Sequence, residues 1–221
     1  MERQVLFDKL SEFLMVEQGG LQIYRVAASR ARRPDLKARY EAFGRQTDRH
    51  RQWLVGAITS LGGDPNYVSP TARIAQARAD ALLGTALLAG PLAPDEVEAN
   101  DLQNVLLAET VDHGNWQVLK RLVRSTGDLD VRLALEDAVR EVEAEEDTHV
   151  GWARERYGQL ALEMIERGPV PSPARWMHAI SGPVPPIDRI HPSPVDSGLL
   201  GPALQAAWGD TPIARDMRLA G

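Results

Sequence analysis

The chain contains no cysteine. That absence excludes a disulfide framework, a thiolate metal site and a cysteine nucleophile together. No apolar run approaches the roughly 18 residues that a membrane-crossing helix needs, so no membrane span is expected. The opening MERQVLFDKLSEF is charged and amphipathic, without the basic-then-apolar order of a signal peptide. These features point to a cytoplasmic location. The one basic cluster, RARRPDLKAR (30–39), is short and lacks aromatic interleaving, which argues against nucleic-acid binding and for a helix–helix turn. Strand-like alternation is nearly absent before residue 170, and proline is scarce there.

The charge that is present is unevenly spread. Residues 1–61 carry 11 Lys+Arg against 7 Asp+Glu, whereas residues 93–167 carry 8 against 18. Opposite balances of this kind draw two halves together, within a subunit or between subunits. A homodimer is the simplest expectation.

Apolar residues recur at helical spacing along four stretches. The first runs from Leu6 through Leu10, Phe13 and Leu21 to Tyr24, with Pro34 ending it or opening the next. The second runs from Leu36 to Leu61 and stops at GGDP; the third covers Leu102–Val123; the fourth runs from Leu135 to Met164 and closes at Arg167–Gly168. The link 62–101 holds the alanine-rich TARIAQARADALLGTALLAG, which predicts a crossover helix. Two helical hairpins joined by one long crossover predict an all-α, antiparallel four-helix bundle over residues 1–167. Ten of the 15 prolines fall within 168–221, which predicts an extended C-terminal tail. Its apolar anchors, Trp176, Met177, Leu199, Leu200 and Trp208, suit docking onto a protein partner.

Each long helix also places a polar residue in the middle of its apolar face. These are Glu17, His50, Glu109, and Glu146 with His149. A carboxylate on a core face costs several kcal/mol unless it is paired, protonated or bound to a cation. Glu146 and His149 lie one turn apart on one face and can hold one ion. Carboxylate and imidazole donors without thiolates suit iron, or manganese. The order repeats: Glu17 and Glu109 each precede an aromatic by seven residues (Tyr24, Trp116), and His50 and His149 each precede a tryptophan by three.

On these residues the stretch 4–167 resembles the ferritin-like superfamily, which includes rubrerythrins, bacterioferritins and di-iron hydroxylases. The resemblance implies a ferritin-like bundle whose metal ligands are Glu17, His50, Glu109, Glu146 and His149. It also implies a bridging glutamate where this chain has Thr47. With that carboxylate missing, the ligand set suits one metal better than two, Glu109, Glu146 and His149 being the intact half. Asp112 and His113, close behind Glu109, could each add a ligand or a hydrogen-bond partner, and the Thr47 hydroxyl is a weaker candidate; His113 reads more readily as a core or groove histidine bonded to backbone. Tyr24, Trp53, Trp116 and Trp152 read as packing.

The expected function is iron binding, one or two ions per chain, with oxidoreductase or ferroxidase chemistry. The alternative is a non-catalytic bundle with a vestigial site, acting in assembly through its tail.

Overall fold

Five helices make up the computed structural model, which describes residues 2–89 and 92–168. They are α1 (Arg3–Arg30), α2 (Pro34–Ser60), α3 (Pro70–Leu88), α4 (Pro94–Ser125) and α5 (Leu129–Arg167). No strand occurs among the described residues, so the all-helical class expected from the periodicity is observed. None of these helices is long and apolar enough to cross a membrane. The proline-rich segment, and every expectation placed on it, lies outside the described residues.

Local chemistry sets the ends. Proline opens α2, α3 and α4, where its missing N–H would have had no partner anyway. The Ser69 hydroxyl accepts from the Ala72 N–H, and the Asp128 carboxylate from that of Val131, capping α3 and α5. α5 stops at Gly168, whose φ of 76° favours glycine. The structure starts α4 at Pro94, a full two turns before the apolar pattern begins at Leu102. The early turns face the molecule with Glu98 and Asp101, both buried, and hydrophobic spacing does not register them.

α1 and α2 form one hairpin and α4 and α5 another; α1 packs on α4 and α2 on α5. The core explains the long link between them. One apolar cluster joins Leu6–Leu14 of α1 to the end of α2, the end of α4 and the start of α5. The other joins Ile23–Ala27 of α1 to the start of α2, the start of α4 and the end of α5. α2 and α4 therefore run the same way, and the chain must return along the whole molecule between them. α3 makes that return, beginning where Ser69 bonds the Asp8 carbonyl and Ser11 and ending where Arg30 bonds the Ala86 carbonyl.

α1 carries α2, α3 and α4 against it, and Gly19 permits that. A Cβ at Gly19 would stand 2.6 Å from the Ala79 Cβ, well inside contact distance. Gly19→Ala is therefore expected to destabilise the fold by about 2 kcal/mol despite alanine's better helix propensity. Thermal melting should show a loss of roughly 5 °C, and Ala79→Gly in the same chain should recover most of it.

The uneven charge is matched inside the subunit. Arg30 pairs with Asp101 at 3.1 Å, Arg33 with Glu98 at 3.2 Å and Glu163 at 3.1 Å, and Arg49 with Glu145 at 2.8 Å. Glu98 also accepts the backbone N–H groups of Arg32 and Arg33, so it fastens the α1–α2 turn. Three arginines of the basic stretch, Arg30, Arg32 and Arg33, are thus engaged at this turn.

Candidate metal centre

The two apolar clusters leave a gap between them on every long helix. The gap falls between Leu14 and Ile23, Phe43 and Leu54, Val105 and Trp116, and Val142 and Ala153. Into it the helices place Glu17, Thr47, His50, Glu109, Asp112, Glu146 and His149, all buried. The result is a single polar layer across the bundle with a dry apolar region on each side.

Both histidines turn the same atom inward. His50 Nδ1 lies 3.0 Å from Glu146 Oε1 and 3.8 Å from Glu17 Oε1. His149 Nδ1 lies 3.1 Å from Glu109 Oε2 and 3.5 Å from Glu146 Oε1. Their outer nitrogens are held by the opposite helix: His50 Nε2 meets Glu145 at 2.8 Å, and His149 Nε2 meets Gln46 at 3.0 Å. Such outer bonds fix ring orientation and raise the basicity of the inner nitrogen. The rings stack with centroids 5.7 Å apart, and Glu146 lies between them.

Ligand-type atoms of Glu109, Glu146 and His149 all lie within 4.8 Å of one another, close enough to share one cation. The outer side of the layer repeats across the bundle. Trp116 donates its indole N–H to Glu17 at 2.8 Å, and the Tyr24 hydroxyl faces Glu109. The Tyr24 ring meets His149 edge-on at 6.2 Å, and Phe43 packs on it at 4.1 Å. Tyr24 also lines a surface cleft of about 350 Å³ between α1 and α2, with Arg25, Tyr40 and Arg45.

The pairing is by charge more than by well-formed hydrogen bonds. Glu17 Oε2, Tyr24 Oη, Thr47 Oγ1, His50 Nδ1, Asp112 Oδ1 and both Glu146 oxygens are buried without a hydrogen-bond partner. A buried group left without a partner costs roughly 1–3 kcal/mol.

The charges are correspondingly displaced. Burial raises the Glu17 carboxyl to about 8, His50 pulling against it. Burial also raises Glu109 against the pull of His149. For Glu146 the burial penalty is outweighed by His149 and His50, leaving it below its ordinary value. Burial depresses His149, but Glu109 and Glu146 outweigh it and bring the imidazole to about 9. Near neutral pH the layer therefore holds protons on Glu17 and His149.

The five principal sequence candidates, Glu17, His50, Glu109, Glu146 and His149, converge in this layer. Thr47 is buried one turn from His50, its methyl 3.7 Å from where a Gly20 Cβ would stand. His113 goes elsewhere: it is partly exposed and faces Asp147 at 3.5 Å. Gln46 was not anticipated, nor was the bond from Trp116 to Glu17. One signal was available, since Gln46 and Glu145 each stand four residues before a candidate histidine.

Comparison with protein-family models, with curated proteins and with solved structures finds no match to this chain.

Proposed function

We propose that this is a ferritin-like metal-binding protein that holds iron in the polar layer and serves in oxidation by oxygen or peroxide. The observation that carries the proposal is the concentration of unpartnered buried atoms, carboxylate and imidazole together, on facing helices. A divalent cation would satisfy several of them at once. Oxygen and nitrogen donors without sulfur suit iron, and manganese after it.

Glu109, Glu146 and His149 would hold the better-formed position, and Glu17 with His50 would face a second. Bound iron would supply electrons to an oxidant. The protein's part is to fix the two imidazoles through Glu145 and Gln46, to keep bulk water out with apolar packing above and below, and to hold the ligands deprotonated once a cation replaces their protons. A vestigial site would be expected to have closed on itself, with Glu17 bonded to His50. Their 3.8 Å separation is an ion-pair distance and not a hydrogen bond, the shorter contact of His50 Nδ1 being to Glu146 at 3.0 Å.

The test is oxygen consumption by protein loaded anaerobically with Fe(II), with His149→Ala beside it. The loaded protein should consume oxygen in proportion to its iron. His149→Ala should retain less iron and lose the activity. Iron retained without oxygen or peroxide consumption would leave a binding protein and remove the oxidative role.

A further inference from the structure

Packing on His149 does not tell one edge of the ring from the other. Phe43 lies against it with centroids 4.1 Å apart, and Tyr24 meets it edge-on at 6.2 Å. A half-turn about Cβ–Cγ would keep the ring in the same slot and exchange each nitrogen for a carbon. Polar contacts therefore decide which edge faces inward, and they stand on both sides. Inside, Nδ1 lies 3.1 Å from Glu109 Oε2 and 3.5 Å from Glu146 Oε1. Outside, Nε2 lies 3.0 Å from Gln46 Oε1 on α2.

A neutral imidazole carries one N–H, which must sit on the nitrogen that a cation does not use. The two carboxylates inside would hold that hydrogen on Nδ1 and close the ring to a cation. The amide oxygen outside holds it on Nε2, because a carbonyl oxygen only accepts. The direction of the amide is itself supported by its other neighbour, Glu145. Burial would raise the Glu145 carboxyl, but hydrogen bonds from His50 and Gln46 outweigh it and hold it low. A carboxylate accepts and does not donate, so the Gln46 amino group turns to Glu145 and its oxygen to His149. Glu145 is anchored in turn by Arg49 at 2.8 Å and meets His50 Nε2 at 2.8 Å.

We propose that Gln46 is a positioning residue for the metal site: it keeps the hydrogen of His149 on Nε2 and leaves Nδ1 to a cation held with Glu109 and Glu146. The proposal rests on metal binding by those three residues, whose ligand-type atoms lie within 4.8 Å of one another. Gln46 acts through the imidazole and is not itself a ligand. The arrangement is crossed, α2 holding the histidine of α5 and α5 that of α2. The holders differ: a neutral amide for His149, a carboxylate paired with an arginine for His50.

Zinc(II) tests this without any turnover, because it is diamagnetic and leaves the ring nitrogens open to nuclear magnetic resonance. In the zinc-loaded full chain, long-range proton–nitrogen spectra should show His149 with its hydrogen on Nε2 and zinc on Nδ1. Gln46→Met, nearly the same length without an acceptor oxygen, should weaken zinc binding by roughly 10–100-fold. Gln46→Glu keeps an acceptor in place and should stay within about 3-fold of the parent. Circular dichroism should show both variants helical. Zinc on Nε2 of His149 in the parent would overturn the proposal whatever the variants do. So would Gln46→Met binding as tightly as the parent, or equal losses in both variants, which would reduce Gln46 to packing. Each of these results leaves metal binding standing. A parent that takes up no zinc would overturn metal binding and this role together.

Discussion

Loading with Fe(II) is expected to raise the melting temperature by roughly 10 °C, and by more at pH 8 than at pH 6. A ligand present at about 1,000 times its dissociation constant adds about 4 kcal/mol, and each kcal/mol moves a chain of this size by about 2–4 °C. The pH dependence follows from protons held in the metal-free layer. Glu17 is raised from 4.5 to about 8 and His149 from 6.5 to about 9. Between the lower and upper value of each pair the folded chain keeps a proton that the unfolded chain has released. Stability of the metal-free protein therefore falls as pH rises through that interval. Metal binding needs the same groups deprotonated, so affinity rises over the same range. Calorimetry on loaded and metal-free protein should show the gap between their melting points widening from pH 6 to pH 8. A gap that narrows would contradict proton–metal exchange at these residues.

Glu146→Gln should abolish metal binding. Among the described residues Glu146 is the one carboxylate close to both inward histidine nitrogens, its Oε1 lying 3.0 Å from His50 Nδ1 and 3.5 Å from His149 Nδ1. Glutamine keeps the volume but loses the charge. Affinity should fall by more than roughly 100-fold, beyond what removing an outer hydrogen-bond partner costs. The metal-free fold should also weaken, by about 3 kcal/mol, because His50 and His149 lose their common ionised partner. Titration with Fe(II) under argon measures the first effect and urea unfolding the second. Unchanged affinity would place the ions away from Glu146. His149→Ala has a narrower effect, since the Glu17–His50 side keeps its own donors.

The helices were legible because their apolar faces repeat at helical spacing, and the principal ligand candidates because each interrupts such a face. The crossover helix was legible from its alanine-rich composition. What escaped depends on which neighbour a helix faces. Asp112 and His113 stand to either side of the Glu109 direction, about 60° one way and about 40° the other at 3.6 residues per turn. Spacing alone slightly favours His113. Packing decides the other way: one side of α4 meets α1 and Glu17, while the other brings His113 to Asp147 on α5. The hold of Gln46 and Glu145 on the histidines crosses from one hairpin to the other, and no local pattern encodes it. The early start of α4 was hidden for a related reason, since Glu98 and Asp101 are buried by pairing with arginines of the α1–α2 turn.

Iron per chain is the most direct measure of the central claim. The protein and Glu146→Gln would be loaded anaerobically with Fe(II), desalted and analysed by elemental mass spectrometry. The account predicts one or two irons per chain in the protein and none in the variant. Protein that retains no more iron than Glu146→Gln would contradict it, leaving the buried acids and histidines as an internal ion-pair network.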